Sequence, residues 1–204
     1  RWEVDFSKNN PADHYKSIGQ FNQDGNYLTG TFMTETGDYR FLEGNVYNDS
    51  LFLSCFDGAH LFLFKAIYKN DSLHGKFWSG THWEEPWVAG RNENFELTNP
   101  DSLTYLKEGY EKLAFTFPSI SGDSISLDDK KYEGKVVIVN IMGPWCPNCK
   151  DETAYLTSLY NQHNENGLEI IALSFDKSDD FEVAKGTLVR IKKHFGANYD
   201  FAVA

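Results

Sequence analysis

Cys146 and Cys149 stand in the run Trp145-Cys146-Pro147-Asn148-Cys149. In the first turn of a helix, this spacing brings two sulfurs within reach of a disulfide. A cysteine at the helix start lies among unpaired backbone N–H groups and at the positive end of the helix dipole, which favour its thiolate near neutral pH. The thiolate is the attacking species in disulfide exchange, so Cys146 is the expected nucleophile. Cys149, one turn deeper and more shielded, is the expected resolving thiol. Pro144 and Pro147 suit a helix start, where a missing N–H costs little. A zinc half-site is the alternative use of such a pair. Structural zinc needs four ligands, and neither Cys55 nor the scattered His60, His163 and His194 supply them at ligand spacing. No metal and no cofactor is expected.

Glu152 follows Cys149 by three residues and so shares its helical face. A carboxylate there can shuttle a thiol proton and, while charged, oppose the thiol's ionisation. The other reading is a helix-start acid held by the dipole, which Asp151 satisfies equally.

The elements that would position these residues fall into two halves. After residue 112, Val136 to Met142 reads as a continuous apolar strand buried on both faces, broken only by Asn140. Cys146 to His163 reads as a helix, with Gly167 as a stop. Leu168 to Phe175 reads as a second buried strand. Ser178-Asp179-Asp180 would cap a helix whose apolar residues Phe181, Ala184, Leu188, Ile191 and Phe195 step by three and four. Strand–helix–strand–helix predicts a parallel α/β unit. Before residue 96 the pattern differs. Short alternating runs rich in Phe, Tyr, Val and Leu follow Asp24-Gly25-Asn26, Asn48-Asp49 and Asn70-Asp71, which are turn signals. Asn-Asp-Ser-Leu recurs at 48–51 and 70–73, and Leu-x-Gly-x-Phe at 28–32 and 73–77, as similar hairpins. Seven or eight strands in an antiparallel meander predict an all-β domain over 1–96, either barrel or sandwich. Residues 97–112, with Asn99-Pro100, read as a linker to a domain over 113–204.

Several segments in fixed order resemble a known family. They are Phe115-Thr-Phe-Pro118, Gly122-Asp123 with Ile125-Ser-Leu127, Tyr132-Glu-Gly-Lys135, Val136-Val-Ile-Val-Asn140, Gly143-Pro-Trp-Cys146 and Cys149-Lys-Asp-Glu152. Together they resemble the TlpA/ResA-like thiol–disulfide oxidoreductases, a branch of the thioredoxin superfamily in bacteria. The resemblance implies a thioredoxin-like fold for 113–204 and disulfide exchange with client proteins, cytochrome c maturation factors among them. It further implies an upstream redox partner, a location outside the cytoplasm (periplasmic) with a membrane tether such as a lipid anchor, and a functional acid at Glu152. Asn140 stands where classical thioredoxins carry a buried acid, and an amide cannot titrate. Two departures stand out. Asn148 replaces the usual proline before the second cysteine, which leaves the direction of the redox reaction open. No proline follows Pro147 in the sequence, so the later part of a thioredoxin fold, with its cis-proline loop, is expected to be missing from these residues.

The composition narrows the remaining choices. The 204 residues are 41% hydrophobic and 16% aromatic, which excludes a disordered chain. A net charge of −11 argues against nucleic acid and anionic lipid as partners. The longest apolar run falls far short of the ~20 residues of a membrane helix. Cys55 sits in the alternating run Leu51 to Phe56 and reads as a core or wall thiol. Trp78, His82, Trp83 and Trp87 read as core and edge aromatics, with a client- or ligand-binding patch as the sharper alternative. Two other functions stay open: a ligand-binding β-domain with a regulatory redox half, and a thiol peroxidase. Against the latter, Gly143 stands three before Cys146, where superfamily peroxidases carry a hydroxyl residue.

Overall fold

The computed structural model describes residues 1–58 and 60–204, and the chain divides into two compact units, Arg1–Tyr105 and Leu106–Ala204.

Among the described residues the first unit holds nine strands. They are β1 (Trp2–Phe6), β2 (Tyr15–Asp24), β3 (Tyr27–Thr34), β4 (Gly37–Asp38), β5 (Leu42–Tyr47), β6 (Ser50–Phe56), β7 (Leu61–Lys69), β8 (Ser72–Ser79) and β9 (Trp83–Arg91). All pairings are antiparallel, in the order β2-β1-β9-β8-β7-β6-β5-β3, with β4 appended to β3. Because β2 also pairs with β3, eight of the strands form a closed, barrel-like ring. Alternation sends one face of each strand inward, where Phe6, Phe32, Phe64, Phe77 and Trp87 are buried. Phe64 stacks on Phe32 and Phe77 with centroids 4.5 and 4.4 Å apart, so side chains fill the interior. The turn between β7 and β8 places Asn70 at φ 53° and Asp71 at φ 57°, the left-handed pair of a tight hairpin. Glu85, 3% exposed, accepts hydrogen bonds from Ser7 Oγ (2.9 Å) and Tyr15 Oη (2.8 Å). Trp87 belongs to the core, whereas Trp83 is exposed at the wall. Cys55 is half-buried against the core, with Sγ 3.7 Å from the Tyr39 carbonyl oxygen, and burial pushes its thiol up to about 11.

Between residues 97 and 112 the one helix among the described residues is the single turn α1 (Pro100–Leu103), capped by Asn99. In the second unit the hairpin β10 (Thr116–Pro118) and β11 (Ser124–Ser126) precedes β12 (Val136–Met142). There follow α2 (Pro147–His163), β13 (Leu168–Ser174), α3 (Phe181–Phe195) and β14 (Asp200–Val203). The three-stranded sheet runs β12-β13-β14, all parallel. Asp180 caps α3 through its carboxylate, and the left-handed Gly196 ends it, as the residue pattern predicts. Leu156 of α2 and Leu188 of α3 pack on the sheet face formed by Met142, Ile170, Ala172 and Phe201. The other face, with Ile171, Leu173 and Ala202, is covered by Ile125 of the hairpin and by Tyr132.

The expected burial of β12 holds in part: Ile138 and Met142 pack into the core on one face and Val137 and Val139 on the other, while Val136 is 69% and Ile141 65% exposed. Among the described residues this strand has one hydrogen-bonded neighbour, β13.

Candidate functional site

The cysteine pair begins where β12 gives way to α2. Cys146 is the N-cap residue, with extended backbone, and Pro147 fills the first helical position. Its Sγ accepts the backbone N–H of Cys149 at 3.3 Å, so sulfur takes the place a capping oxygen commonly holds. The loop is tightened by the Cys146 N–H, which donates to the Gly143 carbonyl at 3.0 Å. Both thiols are free and half-buried. The Cys149 thiol is pushed up to about 11, first by burial and then by its hydrogen bond with Cys146. The Gly143 backbone N–H eases that rise, while the charges of Cys146 and Glu152 add to it. The two sulfurs are therefore unlike: Cys146 Sγ accepts an N–H at the helix start, and burial holds the Cys149 thiol protonated.

Glu152 lies on the next turn of α2, exposed as a residue, yet its carboxylate turns back toward the sheet. Its Oε2 accepts a hydrogen bond from Asn140 Nδ2 at 2.7 Å. Strand alternation explains the meeting: Ile138, Asn140 and Met142 share the face of β12 that α2 covers. Asp151, the other candidate acid, is exposed on α2. The sequence pattern sets Asn140 aside because it cannot titrate, and its bond to Glu152 goes unseen because it joins a strand to the helix that follows.

Trp145 is 49% exposed beside the pair, held by a 3.1 Å bond from Nε1 to the Phe175 carbonyl at the end of β13. Lys177 Nζ lies 5.2 Å from the centre of its ring. A Cβ at Gly143 would sit 2.6 Å from the indole, so glycine is what lets Trp145 lie against this loop. Phe175 is also exposed, which gives the cysteine pair an apolar, aromatic flank. Among the described residues no group of three or more His, Cys, Asp or Glu could hold a metal ion, and no helix is long and apolar enough to cross a membrane.

The sequence profile of the AhpC/TSA family matches residues 109–199. The chain is 41% identical over 71 residues to the thiol-disulfide oxidoreductase ResA of Bacillus anthracis, a match covering 35% of this chain and 40% of the relative. It is 31% identical over 94 residues to ResA of Bacillus subtilis, covering 46% of this chain and 48% of the relative. The chain thus spans less than half the length of these curated relatives. Among solved structures, it is similar to the thioredoxin domain of a thiol-disulfide oxidoreductase from Bacteroides vulgatus (TM-score 0.40, 25% identity, 48% of this chain and 65% of that one). It is also similar to a thiol:disulfide interchange protein from Chlorobium tepidum (TM-score 0.38, 20% identity, 45% and 57%). The second unit thus opens a helix between two parallel strands with a cysteine pair, in a segment similar in sequence to the AhpC/TSA family and to ResA thiol-disulfide oxidoreductases.

Proposed function

We propose that the protein is a thiol–disulfide oxidoreductase that exchanges disulfides with client proteins through Cys146 and Cys149. The observation that carries this reading is the asymmetry of the pair. Cys146 Sγ receives an N–H at the helix start, while Cys149 beside it is held protonated. In the reductive direction the Cys146 thiolate attacks one sulfur of a client disulfide. A Cys146–client mixed disulfide forms, and the other client sulfur leaves as a thiolate. Cys149 then gives its proton to the Glu152 carboxylate and attacks Cys146. The Cys146–Cys149 bond forms, the bond to the client breaks, and the client leaves as a dithiol once solvent has protonated its sulfurs. An upstream dithiol partner returns the pair to its reduced form, and the oxidative direction is the reverse sequence. Trp145 and Phe175 supply an apolar surface for the client chain beside the reacting sulfurs.

The family resemblance supports placing this chemistry outside the cytoplasm, in a periplasmic setting with a membrane tether. The closed β unit would serve to dock clients or to space the catalytic unit, since its interior is filled with aromatic side chains. Gly143 offers no hydroxyl at the position where a peroxidase would need one.

The test is trapping. Cys149→Ser should accumulate a mixed disulfide with a client or a model disulfide protein, visible as a reducible shift in mass, and Cys146→Ser should not. A trapped adduct in Cys146→Ser, or none in either variant, would overturn the assignment.

A further inference from the structure

We propose that Asn140 is a positioning residue for this exchange, holding Glu152 in place in both of its protonation states by turning its amide over as the carboxyl gains or loses a proton. The inference deepens the function proposed above and rests on it.

Asn140 is 6% exposed, in the middle of β12, among apolar neighbours. If packing alone chose the residue, an aliphatic side chain would serve. Instead the strand buries an amide of which one half is used. Nδ2 donates to Glu152 Oε2 at 2.7 Å, while the buried Oδ1 has no hydrogen-bond partner among the described residues. A buried acceptor without a donor is costly and points to a role beyond packing.

The chemistry of the pair supplies that role. A charged carboxylate only accepts, so it needs the NH2 half of the amide. A protonated carboxyl carries an O–H, which only the C=O half of the amide can accept. An amide presents both halves by half a turn about its last side-chain bond, which has a broad, roughly two-fold preference. Because Oδ1 holds no other bond, this turn breaks nothing besides the contact it remakes. Glu152 is otherwise exposed on α2 and free to swing into water. Of the titratable groups around it, Cys149 on the same helix and Tyr199 just ahead of β14 both feel its charge, which opposes their ionisation. Lys150 and Asp151, its neighbours along α2, are exposed. Among the described residues Asn140 contributes the hydrogen bond from β12, which keeps the carboxylate where Cys149 can use it.

Asn140→Leu and Asn140→Asp, alone and with Glu152→Gln, test the proposal. The readouts are alkylation of Cys149 against pH, disulfide exchange with a model client against pH, and thermal stability. In Asn140→Leu, Glu152 is released, so the Cys149 profile should move to lower pH, as in Glu152→Gln. Exchange should fall about tenfold or more, and adding Glu152→Gln should change neither further. In Asn140→Asp, two carboxyls at hydrogen-bond distance must share one proton. Carboxyl NMR should then show one group still protonated well above the usual carboxylate range. A wild-type Cys149 profile in a folded Asn140→Leu variant would overturn the proposal, as would losses that multiply in the double variant. If Asn140→Leu does not fold, the near-isosteric Asn140→Asp decides, and two ordinary carboxyl titrations there would overturn it. Alkylation needs no client. A protein with intact coupling between these residues and no exchange activity would therefore count against the proposed function and not against the placement of Glu152 by Asn140.

Discussion

The difference between the two sulfurs can be turned into rates. The Cys149 thiol is pushed up to about 11, chiefly by burial. At pH 7 about one Cys149 in ten thousand would be thiolate, against ~3% for a free cysteine near 8.5, a ratio of roughly 300. A more basic thiolate is also a better nucleophile, and with a Brønsted slope of about 0.4–0.5 this restores roughly 10- to 20-fold. The net expectation is alkylation of Cys149 about 20- to 30-fold slower in the folded protein than in the same chain unfolded in urea. Quenched iodoacetamide labelling of the reduced protein, with peptide mass spectrometry, reads Cys146, Cys149 and Cys55 separately. Shielding alone would slow the reaction by a constant factor. A raised thiol also moves the bend of the rate–pH curve, so the rate should still be climbing steeply at pH 10 in the folded protein and bend near 8.5–9 when unfolded. The same shift links to stability. A thiol whose folded value lies above its unfolded one stabilises the fold fully below about 8.5. That contribution is lost as pH rises through 11. A folded-state curve for Cys149 that bends below pH 9 would refute this reasoning, whatever the absolute rates.

Three further outcomes follow from the geometry. Gly143→Ala should push the Trp145 indole off its bond to Phe175, shifting the tryptophan emission and slowing exchange, with a stability loss of about 1 kcal/mol. Unchanged emission would count against that packing. Gly44→Ala places a Cβ 1.9 Å from the Phe52 carbonyl oxygen, which is backbone and cannot swing away. The closed sheet should lose about 2–3 kcal/mol in thermal or urea unfolding while cysteine reactivity stays the same. Tyr15→Phe removes one of two hydroxyls donating to the buried Glu85 and should cost about 1–3 kcal/mol by urea unfolding.

The residue pattern carries the local part of this structure well and the non-local part poorly. The helix Phe181–Phe195 follows its three-and-four spacing and its Asp180 cap, and the cysteine pair falls at the start of α2, where prolines and the preceding apolar run place it. Turn residues such as Asn70-Asp71 mark the hairpins. Ring closure is not visible from such signals, because it depends on β2 pairing with β3 as well as β1, and on β1 meeting β9 across the whole unit. The uneven cover of β12 is hidden for a similar reason. A run of β-branched residues reports how apolar a strand is, and says nothing of how many neighbours it acquires. In the candidate site, the place of Cys146 and Cys149 at the helix start and the helical face that Glu152 shares with Cys149 are legible from spacing. Asn140 is legible only as a gap in an apolar run, since its meaning depends on which face of β12 the helix covers.

The closure of the β unit has a mechanical consequence. Its first and last strands are antiparallel neighbours in which Trp2 pairs with Arg91, and the Asn92 N–H reaches the Arg1 carbonyl at 3.4 Å. The chain therefore goes in and comes out of the ring at adjacent points. Ladder bonds in an antiparallel pair lie across the strands. Tension drawn between residues 1 and 92 would fall on the Trp2–Arg91 pair, then on Glu3–Gly90, one rung after another, and never on the whole ladder at once. Such a ring opens like a zip under a pull at its ends. Under a pull between residue 1 and the segment that follows residue 92, this seam would be the first part of the β unit to yield.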